Sequence, residues 1–179
     1  MSAYLLLLVA VLSRVVPHAG WWNFTAVTGG LLYFGARRPW REMLAPLAAL
    51  VATDAYLTVC VYHFSFRWHD YAITWGWSLA AIALGRVLLA KRTSFVRGAS
   101  AALLGPTSFF VVSNFGVWLF GMNTYPHTLA GLGICYWNAI PFYRNDLMAT
   151  SAVLGVMLGV PALARRMNAT HLHQQVADR

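Results

Sequence analysis

The chain has 179 residues, of which 59% are hydrophobic and only 10% charged, with a formal net charge of +8 and a mean hydropathy of +0.58. That leaves too little polar surface to coat a water-soluble globule of this length, so composition points to an integral membrane protein. In a soluble protein the positive balance would suggest nucleic acid. Here the basic residues flank apolar runs, as the cytoplasmic loops of membrane proteins do, and a nucleic-acid partner is set aside.

In chain order the apolar runs lie at about residues 3–16, 23–36, 43–64, 72–90, 99–120 and 147–164, against the roughly 20 residues that a span needs. The first could pass for a signal peptide. It lacks a basic n-region, however, and Arg14, Pro17 and His18 follow where small residues should mark cleavage, so a retained span is expected. The first two runs are short and read as thin-region or partly buried spans joined by a tight turn. Nine of the thirteen Lys and Arg residues fall in three clusters, Arg37/Arg38/Arg41, Lys91/Arg92/Arg97 and Arg165/Arg166/Arg179. Six crossings with the N-terminus inside place all three clusters, and the C-terminus, in the cytoplasm. This predicts a multi-pass protein of the bacterial inner membrane.

A further apolar run, Thr128 to Phe142, would put Arg165 and Arg166 outside if it were a seventh span. With Pro126, Asn138 and Pro141 it reads as an outer-face re-entrant or interfacial element. The expected fold is therefore all-α: a polytopic bundle of six transmembrane helices with one extra re-entrant or interfacial helix. It forms a single transmembrane domain over residues 1–166, followed by a polar cytoplasmic tail at 167–179. Gly155 and Gly159 form a GxxxG step on the sixth span, which implies close helix packing.

Asp54 lies near the middle of the third span, where a carboxylate costs several kcal/mol unless paired or hydrated. At about 1.5 Å per residue Arg14 reaches a similar depth, so an Arg14–Asp54 pair is predicted. Arg86 lies nearer the inner face and is expected to snorkel to the headgroups. Toward the outer face His18, Trp22, Asn23, Asn114, Tyr125, Tyr136 and Asn145 mix donors and acceptors with aromatic rings, which lipid alone cannot satisfy; they read as one concave ligand site. Trp68, Trp75 and Trp77 are assigned to an interfacial belt. Cys60 and His63, three apart, are expected to share a helical face near the outer end. Two donors are too few for zinc, so Cys60 becomes a metal ligand only if the solute brings its own metal, as a corrinoid does. Asp70 and Asp146 are placed in wet loops. No hydrolase, phosphate-loop or nucleophile-elbow motif occurs, so neither enzymatic chemistry nor a resident cofactor is expected.

The stretches Arg14-Val-Val-Pro17-His18, Asn23-Phe24-Thr25, Ser113-Asn114-Phe115-Gly116-Val117-Trp118 and Tyr125-Pro126-His127-Thr128, with Gly131, Cys135-Tyr136 and Ile140-Pro141-Phe142 through Asn145, resemble a bacterial integral-membrane family of unknown function. That family's first motif reads RxxPHPxNFTP. This chain has Ala19 and Ala26 in place of the prolines and two extra residues before Asn23, which implies a differently shaped first loop. The layout is also similar to the S-components of energy-coupling-factor vitamin transporters. That likeness implies an outward site for a vitamin-like solute, cobalamin being the most specific candidate because solitary members of that class hold cobalt through a membrane cysteine. The small-residue stripe such proteins use to dock on a coupling ATPase module is missing from residues 3–16, which suits a solitary protein. The expected function is solute binding and uptake, with Arg14, His18, Trp22, Asn23, Asp54, Cys60, His63, Asn114, Tyr125, Tyr136 and Asn145 as ligand-binding residues. The alternative is a membrane scaffold or assembly subunit without a ligand. The two part on one point: convergence of the outer polar residues on one cavity favours binding, and local pairing of Asn114, Tyr136 and His18 with backbone favours the scaffold.

Overall fold

A computed structural model describes residues 1–15, 24–121, 124–164 and 167. The described residues are helical, with no strand among them. Six helices follow one another: α1 (Ser2–Val15), α2 (Val27–Arg37), α3 (Leu44–Tyr56), α4 (Ala72–Leu89), α5 (Phe95–Phe120) and α6 (Leu129–Leu154). A π turn at Leu57–Val61 extends α3, and another at Gly155–Gly159 carries α6 on toward Ala164. Four helical stretches, Trp40–Val61, Ala72–Leu89, Phe95–Phe120 and Leu129–Ala164, are long and apolar enough to cross a membrane. Leucines and valines point outward along α1 and α5, among them Leu5, Leu8, Val9, Leu12, Leu103, Leu104, Val111 and Val112. Lipid-facing helices carry such a surface.

The short α2 is the centre of the bundle. Its 11 residues span only about 16 Å, and every residue from Thr28 to Gly35 is buried against α1, α4, α5 and α6. Glycines make this possible. A Cβ on Gly35 would lie 1.9 Å from the Ile82 carbonyl oxygen, and one on Gly85 would lie 2.0 Å from the Leu32 carbonyl oxygen, so the α2 and α4 backbones touch. Between helices in lipid, where apolar transfer gives little, such close backbone approach maximises dispersion and Cα–H contact. The buried residues of α4 repeat as Trp77, Ala81, Gly85 and Leu89, four apart, with Ser78 and Ile82 beside them. On α1, Ala3, Leu6 and Ala10 line the face that meets α2. Ser13 bridges the two, accepting from the Ala26 amide at 3.1 Å while donating to the Ala10 carbonyl at 2.8 Å.

At one end of the bundle two of the basic clusters meet. Arg86 donates to the Arg38 carbonyl at 2.8 Å and lies 5.3 Å above the Trp40 ring. Arg38 pairs with Glu42, and Arg97 donates to the Leu88 and Val87 carbonyls, the last unpaired acceptors of α4. Arg86 thus fastens a loop at the basic end rather than reaching out alone to lipid headgroups. The third cluster and the polar tail lie outside the described residues, apart from Met167.

Two expectations are corrected. The run from Thr128 to Phe142 is not a separate re-entrant element: α6 begins at Leu129, capped by the Thr128 hydroxyl that accepts from the Gly131 amide, and passes through Pro141 without a break. Pro141 cannot donate to the carbonyl four residues back, a loss that membrane helices tolerate more readily than helices in water. Nor do Gly155 and Gly159 make a packing step inside this chain; a Cβ on either would meet nothing within 4 Å. Close packing falls instead to Gly29, Gly35, Gly85, Gly105 and Gly116.

This contrast yields a paired prediction for thermal melts in detergent. Gly85→Ala should lower stability by about 1–3 kcal/mol or prevent folding, because the methyl meets backbone rather than a movable side chain. Gly155→Ala should be neutral or gain up to about 1 kcal/mol of helix propensity.

Candidate solute site

The helix ends opposite the basic face enclose a cavity of about 110 Å³. Arg14 from the end of α1, Thr25, Val27 and Thr28 from the start of α2, Asp54 from the end of α3, and Thr74, Trp75, Trp77 and Ser78 from the start of α4 line it. Leu50, Phe109 and Asp146 complete the wall.

Asp54 is 4% exposed. It forms an ion pair with the Arg14 guanidinium and accepts a second hydrogen bond from Trp75 Nε1 at 2.8 Å. Trp75 is held by a stack of rings, 5.8 Å from Tyr71 and 6.3 Å from Phe66. The Thr58 hydroxyl, 2.5 Å from the Tyr71 hydroxyl and donating to the Asp54 carbonyl at 2.7 Å, ties that stack to α3. The Arg14–Asp54 pair anticipated from depth along two helices is therefore present, with an indole added. Trp75, assigned to a lipid belt, turns inward; nothing in its sequence surroundings marks which face of α4 it occupies.

Asp146 is the larger surprise. Expected in a wet loop, it lies inside α6 and is 4% exposed. It accepts from the Thr28 hydroxyl at 3.1 Å and the Thr150 hydroxyl at 3.2 Å, and no cation pairs with it among the described residues. Reading Pro141 as a helix stop hid it. Read through the proline, Cys135, Ala139, Asp146, Thr150 and Leu154 fall on the buried side of one helix.

A second cavity of about 200 Å³ lies between α5 and α6, lined by Phe110, Ser113, Asn114, Phe142 and Tyr143 among others. Phe109 and Asp146 belong to both walls.

Among the described residues, the outer positions chosen from the sequence do not converge on one space. Asn114 donates to the Phe110 carbonyl at 2.8 Å, Tyr136 to the Val111 carbonyl at 2.7 Å, and Cys135 to the Asn114 carbonyl at 3.4 Å. The bonds of Tyr136 and Cys135 cross the α5–α6 seam, while that of Asn114 stays within α5. Of them only Asn114 lines a described cavity. Asn145 is buried and lines neither cavity. The Tyr125 hydroxyl accepts from Asn138 at 3.4 Å near the α5–α6 turn. There the Trp118 indole donates to the Pro126 carbonyl at 2.9 Å, and a Cβ on Gly131 would lie 2.0 Å from that same oxygen. Many motif residues of this region thus shape a turn. His18, Trp22 and Asn23 lie outside the described residues.

Cys60 and His63 do not share a helical face. Cys60 sits exposed in the π turn, whose wider winding shifts the register. His63 lies past the helix end at φ 57, the left-handed residue of a C-cap, with the Phe64 amide bonded back to the Thr58 carbonyl at 2.9 Å. Neither lines a described cavity, and no group of three metal-type side chains occurs among the described residues.

Removing one member of the buried pair strands the other. Asp54→Asn should cost about 3–5 kcal/mol, and the double variant Arg14→Met/Asp54→Leu should recover most of the loss; additive losses in a chemical-denaturation cycle would contradict the coupling. His63→Gly should hold or raise stability by about 1 kcal/mol, since glycine adopts the left-handed cap without penalty.

No curated protein and no solved structure matches the chain. A family model does, over residues 1–172, so the chain belongs to the DUF6580 family, a family of unknown function.

Proposed function

We propose that this protein binds a small polar solute within the membrane and takes it up, in the manner of an S-component, and that it does no chemistry of its own. The observation that carries the reading is the cavity beside Arg14, Asp54 and Asp146. Three ionisable side chains around one space at bilayer depth are costly, and such groups ordinarily mark a solute or ion path. An inner-membrane orientation with the basic end in the cytoplasm places the cavity in the outer half, where an incoming solute would arrive. The solute is small: the cavity is about 110 Å³ and Cys60 lines none of the cavities described, so cobalamin ligated by that thiol gains no support.

A scaffold or assembly role is the second reading. What favours it is the pairing of Asn114 and Tyr136 with nearby backbone rather than with an open space.

Native mass spectrometry of protein purified from cells in rich medium, followed by thermal shifts against a panel of vitamins, amino acids, amines and nucleosides, separates the two. The solute reading expects a co-purifying small molecule or at least one stabilising compound, lost in Asp54→Asn or Asp146→Asn. Clean protein that no compound stabilises would favour the scaffold.

A further inference from the structure

We propose that the cavity takes a small organic cation, an amine or quaternary ammonium ion of a few heavy atoms, with the Asp146 carboxylate as its counter-charge and Trp75, Trp77 and Phe109 as its walls. The inference rests on the solute-binding reading and adds the class of ligand.

Charge comes first. Of the two carboxylates at the cavity, Asp54 is already matched by Arg14 and by the Trp75 N–H. Asp146 accepts only from the hydroxyls of Thr28 and Thr150 among the described residues. Among the described residues, two acids against one guanidinium leave one negative charge without a cationic partner in a space of low dielectric, where pairing is worth far more than in water. An anion would meet a carboxylate on two sides. A neutral solute would leave that charge as it found it.

The apolar lining points the same way. Trp77 and Phe109 meet at 4.6 Å between ring centroids with planes tilted by 46°, which makes an aromatic corner. The Trp77 indole is fixed by its hydrogen bond to Ser108 at 3.0 Å, and Trp75 by its bond to Asp54. Ring faces attract cations, and aromatic walls beside one acid form the arrangement that recognises alkylated ammonium groups, whose methyls cannot be satisfied by hydrogen bonds. Size sets the limit. A space of about 110 Å³ corresponds to roughly four water molecules. The neighbouring cavity of about 200 Å³ shares Phe109 and Asp146, so a slightly longer cation has room only where Phe109 turns aside.

The test is isothermal titration and thermal shift on the purified full chain in detergent. The probes are methylammonium, tetramethylammonium and choline, set against the neutral isostere 3,3-dimethylbutan-1-ol, against acetate and against sodium. Saturable stabilisation by at least one ammonium ion, absent with the isostere and acetate, is expected. Asp146→Asn should weaken it by at least about tenfold. Phe109→Leu, which keeps an apolar side chain but removes the ring, should weaken it several-fold in a protein that still folds, with at most a modest fall in the unliganded melting temperature, so the inference stays testable if Asp146→Asn does not fold. Binding confined to the isostere, to acetate or to sodium would overturn the organic-cation assignment and leave solute binding standing. No stabilisation by any of these or by the wider panel would overturn both.

Discussion

A buried carboxylate is the constraint around which one end of this molecule is arranged. Asp54 can remain there because Arg14 and the Trp75 indole reach it from two other helices. Its position therefore fixes the relative rotation of α1, α3 and α4. The partners are in turn held: Trp75 by the ring stack that Thr58 ties to α3, and the end of α1 by the Ser13 bridge to the start of α2. The pair also sets the polarity of the cavity. With Asp54 answered, Asp146 on the far wall is left as the acid whose partners are hydroxyls alone among the described residues.

The half toward the basic end obeys a different rule, backbone contact. Gly35 and Gly85 let α2 and α4 touch, and the buried α2 gives the other helices a common surface. The basic end is closed by side chains that cap carbonyls: Arg86 on Arg38, and Arg97 on Val87 and Leu88. Tight backbone packing thus lies at one end and a polar cavity at the other. Both halves are drawn from one short chain.

How much of this was legible in the sequence depended on whether the signal was local. The first five helix positions and the depth of Arg14 against Asp54 follow from counting along single helices, and those readings agree with the observed helices and ion pair. Asp146 was hidden because proline breaks helices in water, and that rule weakens among packed membrane helices. The face shared by Cys60 and His63 was lost to a π turn and a left-handed cap, neither of which composition announces. Glycine spacing misled as well: the GxxxG step at Gly155 and Gly159 faces open space, while Gly35 and Gly85, unremarkable within their own segments, meet across the bundle. Which polar groups line one space is a long-range fact, and a list of outer-face residues did not carry it.

The central claim is that a cavity with surplus negative charge opens from the outer half of the bundle. Thr74 lines it and is half-buried, so a Thr74→Cys variant in a Cys60→Ser background gives a direct readout with membrane-impermeant thiosulfonates applied to intact cells. The account predicts modification from outside, faster with a trimethylammonium reagent than with a sulfonate reagent of similar size, and a smaller difference when Asp146 is replaced by Asn. Modification only after the cells are opened, or a sulfonate that reacts as fast as the cation, would contradict it.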